Sequence, residues 1–169
     1  FRCQGGGMKR TVWAFLVLLV LGAPDAAFGP ALAFDPHCPT ATPERARALA
    51  ERAARFLHAQ GAATAFRRFT DSRGGFVAGD LYVFVFHLDG VLHASGGWPS
   101  TVGSAVVAPD PRGGGIFIRM RRLALAKGKG WVHYAWYSPC TRSMQPKMSY
   151  IIRVGRYIVG VGTYKVPGV

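Results

Sequence analysis

The stretch Asp80–Ser95, DLYVFVFHLDGVLHAS, decides the fold because it holds the clearest strand signals in the chain. Its run of β-branched and aromatic residues, Tyr82–Leu88, predicts a strand. The pair Asp89–Gly90 follows and suits the positive backbone angles of a tight turn, and Val91–Ser95 then returns. The stretch therefore predicts an antiparallel β-hairpin.

A long amphipathic helix is predicted before this hairpin. Thr42-Pro43-Glu44 combines a hydroxyl cap, a proline at the first helical position and an acid in the first turn, and Gly61 ends the helix. Apolar residues at spacings of three and four form a stripe that faces a sheet. The stripe consists of Ala46, Leu49, Ala50, Ala53 and Leu57. Ala62–Phe69 predicts a second, short helix.

The second half of the chain predicts one more helix and three more strands. The helix covers Ile116–Ala126, and the strands cover Trp131–Tyr137, Lys147–Val154 and Tyr157–Tyr164. Together with the hairpin they predict an α+β fold, a five-stranded antiparallel sheet with the long N-terminal helix on one face. The segment Gly96–Lys129 is large enough to cover the other face, and a ligand pocket is expected beneath it.

The N-terminus has the layout of a secretory signal peptide. Met8 is followed by two cations, an apolar run Val12–Leu21 and the small-residue site Ala31-Leu32-Ala33. We therefore assign residues 1–33 to upstream residues and the signal peptide, starting at Met8, and residues 34–169 to one domain. A periplasmic or secreted protein is expected, and a retained inner-membrane anchor is the alternative.

The charge balance favours anionic partners, since 21 Lys and Arg stand against 8 Asp and Glu, a formal net charge of +13. The basic residues are dispersed, so nucleic acid is not predicted, although a loose association with anionic membrane surfaces remains open.

The chain has no GxSxG elbow and few acids, so catalysis is not expected. No CxxC or HxxxH spacing occurs, and neither a metal nor a cofactor is predicted. Cys38 and Cys140 form a disulfide or remain two thiols.

The order of motifs resembles the single Cache domain, specifically the second single-Cache type of bacterial extracellular sensors. The leading helix and four blocks carry the resemblance: FVAGDLYVFVFHLDGVLHASGG (Phe76–Gly97), Val102-Gly103, GWVHYAWYSP (Gly130–Pro139) and QPKMSYIIRVGRYIVGVGTY (Gln145–Tyr164). The resemblance implies a PAS-like sheet and a non-catalytic domain. It also implies binding of small extracellular metabolites, often short carboxylates, on behalf of chemoreceptors and sensor kinases.

Two positions depart from the family pattern. The acid that usually precedes the hairpin turn is His87 here, and the histidine expected after the turn falls on Ser95. In a regular strand His93 shares a face with Ser95, so both are candidates to line the pocket. The departures leave an alternative function open, a ligand-free interaction protein tethered at the membrane.

From the residues alone Lys147 reads as a strand-end lysine in solvent, but the resemblance of QPKMSY to the family implies that it is the charge partner for a carboxylate. Tyr82, Tyr134 and Tyr150 are candidates to donate phenolic hydrogen bonds, or else core residues. Trp131 and Trp136 are candidates for the pocket wall or for the core. Gly160 and Gly162 permit a close approach of a ligand or of the helix to the last strand, and we favour helix packing.

Overall fold

The computed structural model describes residues 41–105, 115–138 and 140–164. The predicted signal peptide and Cys38 lie outside these described residues. Within them, no helix has both the length and the apolar character that a membrane crossing requires.

The two N-terminal helices form as predicted. Helix α1 spans Pro43–Gln60, with the Thr42 hydroxyl accepting a hydrogen bond from the Arg45 N–H, and it ends at Gly61. Its small and apolar side chains are buried against the sheet, because the three- and four-residue spacing places them on one stripe. Helix α2 spans Ala62–Thr70 and buries Phe69.

All strand pairs are antiparallel. The strands are β1 (Val77–Ala78), β2 (Leu81–His87), β3 (Leu92–Ser95), β4 (Lys129–Ser138), β5 (Ser143–Val154) and β6 (Tyr157–Tyr164). Their order is β1-β2-β6-β5-β4, with β3 also paired to β2. The α+β architecture is therefore confirmed, and the two-residue β1 adds a sixth strand to the five expected. Strand β5 begins earlier than predicted because its pairing with β4 continues to Ser138 and Ser143.

Helices pack against both faces of the sheet, which we call the helix face and the cavity face. On the helix face, α1 and α2 cover apolar residues that include Val83, Val85 and Val161. On the cavity face lies helix α3, Ile116–Lys127, which contributes Phe117 and Met120 to a second core. The prediction that the segment after the hairpin covers the second face is thereby confirmed.

A bulge in the hairpin decides which way its return strand points. Val85 pairs with Ala94, whereas the next residue, Phe86, pairs with Leu92. His93 is thus the additional residue on β3. A bulge of this kind breaks the two-residue alternation, so side chains on either side of it no longer follow a regular strand.

Candidate ligand-binding site

A cavity of about 530 Å³ lies on the cavity face of the sheet. Strands β2, β3, β4 and β5, helix α3 and the short 3-10 turn Pro99–Thr101 with its flanking residues supply its walls. The lining residues are Tyr82, Phe84, Phe86, Leu92, Ser95, Trp98, Thr101, Ser104, Ile116, Phe117, Met120, Tyr134, Trp136, Tyr137 and Met144. Its size and its largely apolar and aromatic lining are those of a small-molecule site.

Lys147 is buried beside this cavity, with only 2% of its surface exposed. Its Nζ donates to the Tyr82 Oη at 2.8 Å and to the Tyr164 Oη at 3.3 Å. The same nitrogen lies 4.2 Å and 4.5 Å from the centres of these two rings. The alternative of a lysine in solvent is therefore wrong. Among the described residues no carboxylate lies within ion-pair distance of Lys147.

Burial lowers the pKa of Lys147 to about 7, while the charge of Asp80 acts in the opposite direction. The desolvated ammonium is only partly compensated by the two phenolic oxygens and the faces of their rings. An anion that approached from the cavity would supply the compensation that is missing. Lys147 does not itself line the cavity. A ligand there would contact Tyr82, whose hydroxyl is hydrogen-bonded to the ammonium.

The Tyr82 hydroxyl links the lysine to the cavity wall. Its oxygen accepts hydrogen bonds from Lys147 Nζ and from Trp98 Nε1, the latter at 3.2 Å. A phenol oxygen that accepts two hydrogen bonds still carries its own proton, which it can donate. Burial raises the pKa of Tyr82, whereas hydrogen bonds from its aromatic neighbours, Trp98 first, lower it. Tyr82 is thus a neutral donor held beside a buried cation.

Tyr134 and Trp136 lie on the cavity face of β4, as their spacing predicts, and both line the cavity. The Tyr134 hydroxyl lies 2.7 Å from Ser149 Oγ, and burial raises the pKa of Tyr134. The rings of Tyr134 and Trp136 meet edge to face with centres 6.1 Å apart. They form an aromatic wall next to Lys147, which pairs with Tyr134 across the β4–β5 ladder.

Trp131 and Tyr150 do not line the cavity, and here the structure corrects the sequence interpretation. Their rings pack together on the helix face with centres 5.0 Å apart. The Arg47 guanidinium of α1 lies 5.4 Å from the centre of the Tyr150 ring. The alternation of β4 separates Trp131 from Trp136, but only the packing of α1 decides which of them faces a helix.

His93 and Ser95 do not share a face, because the bulge falls on His93. The His93 ring packs against Phe66 of α2 and Tyr157 of β6, away from the cavity. Ser95 lines the cavity, and its Oγ accepts the Trp98 N–H at 3.0 Å, so it holds the wall residue Trp98 in place. At the hairpin turn His87 Nδ1 lies 2.9 Å from a carboxylate oxygen of Asp89 and outside the cavity.

Gly160 and Gly162 lie on the cavity face of β6, so their assignment to helix packing is wrong. A Cβ at Gly160 would stand 2.2 Å from the Phe84 ring, and one at Gly162 would stand 2.4 Å from the Lys147 Cε. The two glycines therefore make room for cavity-face side chains.

Sequence reasoning missed Trp98, Tyr137, Tyr164 and the two α3 residues Phe117 and Met120. Tyr164 donates to the Tyr137 carbonyl at 2.7 Å and so orients its oxygen toward Lys147. Trp98 lies between glycines and a proline, and a large aromatic in such a loop was the available signal.

Cys140 is disulfide-bonded, but its pairing with Cys38 stays a prediction. Within 41–105, 115–138 and 140–164 no three potential ligands gather to hold a metal ion.

Several solved structures are similar to this chain. A Cache chemosensory domain studied for carboxylic acid recognition is 23% identical, and the match covers 73% of this chain and 92% of that one with a TM-score of 0.59. A methyl-accepting chemotaxis protein from Vibrio parahaemolyticus is 15% identical over 72% of this chain and 86% of that one, TM-score 0.61. The periplasmic sensor domain of a chemotaxis protein is 23% identical, and the match covers 73% of this chain and 90% of that one with a TM-score of 0.57.

At these identities the structures establish a shared fold. Comparison with curated protein sequences finds no match. The family model dCache_2, described as Cache domain, matches residues 63–165, which is more than half of the chain. The predicted resemblance is thus confirmed at the level of the Cache domain, and the chain belongs to the Cache domain family.

Proposed function

We propose that this Cache domain binds a small organic acid in the cavity beside Lys147 and reports its presence to a signalling partner. The observation that carries the proposal is a buried ammonium that has two phenol oxygens, but no carboxylate among the described residues, as partners. A bound carboxylate would accept a hydrogen bond from the Tyr82 hydroxyl and lie close to the Lys147 charge. In a cavity that excludes water, both interactions are stronger than in solution.

The role in signalling rests on the family and on the leader sequence. The similar solved structures belong to chemosensory and chemotaxis proteins, one of them described as a periplasmic sensor domain. The N-terminal residues of this chain have the pattern of an export signal. We therefore propose that the domain acts outside the cytoplasm, and that a chemoreceptor or a sensor kinase is its partner. A ligand changes such a partner only through its different affinities for two states of the domain.

A thermal-shift screen of the purified protein tests the binding proposal. Small carboxylates are compared with their neutral amides and with amines of similar size. A carboxylate present at about 100 times its dissociation constant should add roughly 2.7 kcal/mol to the free energy of unfolding. Lys147→Met should abolish this gain, while Lys129→Met, which removes an exposed lysine from β4, should leave it intact.

Stabilisation by amides as large as that by carboxylates would contradict the role of Lys147. A folded protein that responds to none of the three classes would contradict the binding function itself. That second result would favour the interaction protein that the departures at His87 and Ser95 first suggested.

A further inference from the structure

The cavity has a charged end and an apolar end. The charged end is Tyr82 with Lys147 behind it, and the apolar end consists of Phe84, Phe86, Leu92, Phe117 and Met120. Tyr82 and Phe86 lie four residues apart on the same face of β2, a separation of about 13 Å along the strand. At the far end the Phe86 and Phe117 rings are in contact, with centres 5.5 Å apart.

Four of the other hydroxyl groups in the lining already have partners in the protein, and the fifth belongs to Tyr137, which is exposed. Thr101 Oγ1 donates to the Trp98 carbonyl at 2.7 Å, and Ser104 Oγ donates to the Thr101 carbonyl at 2.6 Å. Ser95 Oγ accepts from the Trp98 N–H, and the Tyr134 hydroxyl is paired with Ser149. A ligand therefore meets a polar donor with a buried charge at one end and mainly carbon atoms elsewhere.

We propose that the acid bound at the charged end carries an apolar tail of about six to ten carbon atoms or one aromatic ring. With its carboxylate such an acid fills roughly half to three quarters of the cavity, at about 30 Å³ per heavy atom, the volume that one water molecule takes in the liquid. This inference rests on the proposed function and narrows its ligand class. Acetate has four heavy atoms and would leave most of the 530 Å³ unoccupied and the apolar end uncovered. The short carboxylate expected from the sequence is thus the head group of a larger, amphipathic ligand.

Affinity should consequently depend on the length of the tail. Each methylene that enters the apolar end leaves water, which corresponds to about a fourfold gain in affinity. An aromatic tail is accommodated equally well, because Phe84, Phe86 and Phe117 already meet one another edge-on or tilted.

Calorimetric titration of the purified protein with acetate, butanoate, hexanoate, octanoate and 3-phenylpropanoate tests the inference, with octanamide as the neutral counterpart. We expect affinity to rise by about fourfold per methylene up to octanoate. Octanamide should bind at least tenfold more weakly than octanoate.

Two variants of α3 locate the tail. Ile116 lines the cavity, whereas Ile118 on the same helix is exposed. Ile116→Trp should fill part of the apolar end and lower octanoate affinity at least tenfold, with little effect on butanoate. Ile118→Trp makes the same change on the solvent side and should alter neither affinity.

The outcomes separate the inference from the function on which it rests. If acids of all lengths bind with equal affinity, or if Ile116→Trp leaves the affinity for octanoate unchanged, the proposal of an apolar tail is wrong. The acid-binding function then still stands. If octanamide binds as tightly as octanoate, or if no acid of any length binds, the proposed function itself fails.

Discussion

The ammonium nitrogen of Lys147 lies 2.8 Å from the phenolic oxygen of Tyr82, although the two residues belong to strands that are not neighbours. Strand β6 runs between them, and the lysine side chain crosses it at Gly162. A Cβ at that position would stand 2.4 Å from the Lys147 Cε and 2.3 Å from Ser149 Oγ. The contact that defines the charged end of the cavity therefore requires the absence of a side chain on a third strand.

Gly162→Ala should accordingly displace Lys147. We expect the free energy of unfolding to fall by about 1–3 kcal/mol, as is usual for overpacking, and carboxylate affinity to fall at least tenfold. Chemical denaturation and calorimetry measure the two effects. Gly160→Ala is the matched control, because its Cβ meets the Phe84 ring and not the lysine. Gly160→Ala should destabilise the protein while short acids still bind. If Gly162→Ala binds carboxylates with wild-type affinity, the Lys147 side chain does not depend on the space at Gly162.

Tyr82→Phe removes the acceptor shared by Lys147 and Trp98. A buried cationic donor then lacks one partner, which costs roughly 1–3 kcal/mol of folding free energy. Tyr82 also lines the cavity, so the loss of its hydroxyl should weaken acid binding at least tenfold. Tyr157→Phe changes a half-buried tyrosine on the helix face and serves as the control. Equal effects of the two substitutions on acid binding would show that the Tyr82 hydroxyl has no special role.

Stability should increase with pH above neutrality. Burial lowers the pKa of Lys147 from 10.5 to about 7, so between these values the unfolded chain binds one proton more than the folded chain. The free energy of unfolding therefore rises from pH 7 toward pH 10. The phenols that face the ammonium, Tyr82 and Tyr164, titrate above this window because burial raises their pKa. Lys147→Met should remove the rise, as measured by denaturation at several pH values.

Acid binding should show the opposite pH dependence. A carboxylate favours the charged form of Lys147, so affinity should decrease above pH 7, approaching tenfold per pH unit if binding requires the ammonium. Asp80 also faces this charge, and burial raises its pKa. Titrations of wild type and Asp80→Asn separate the two groups, since the decrease should persist in the variant. An affinity independent of pH between 7 and 9 would exclude the ammonium as charge partner.

The two tryptophans of β4 should separate stability from binding. Trp131 packs beneath α1, so Trp131→Ala should lower the free energy of unfolding by roughly 2–4 kcal/mol, with acid affinity of the folded protein unchanged. Trp136 lines the cavity, and Trp136→Ala should weaken binding more than it lowers stability. Reversal of this pattern would mean that the two faces of β4 have been exchanged.

The sequence by itself determined the order of the elements, most of their bounds and the class of the fold. The start of α1 follows from Thr42 and Pro43, and the hairpin turn follows from Asp89–Gly90, because caps, turns and hydrophobic periodicity depend on neighbouring residues. The same local reasoning placed Tyr134 and Trp136 together on one face of β4. Lys147 was preferred as the charge partner only through the resemblance of its segment, QPKMSY, to the Cache domain.

Only the tertiary structure decided which candidates meet. An alternating strand has two equivalent faces, and the packing of α1 directed Trp131 and Tyr150 to the core. The bulge moved His93 out of the cavity, which depends on how β3 pairs with β2. The approach of Lys147 to Tyr82 depends on three strands and on Gly162 between them. Such contacts join residues far apart in the chain, so no local pattern of sequence could specify them.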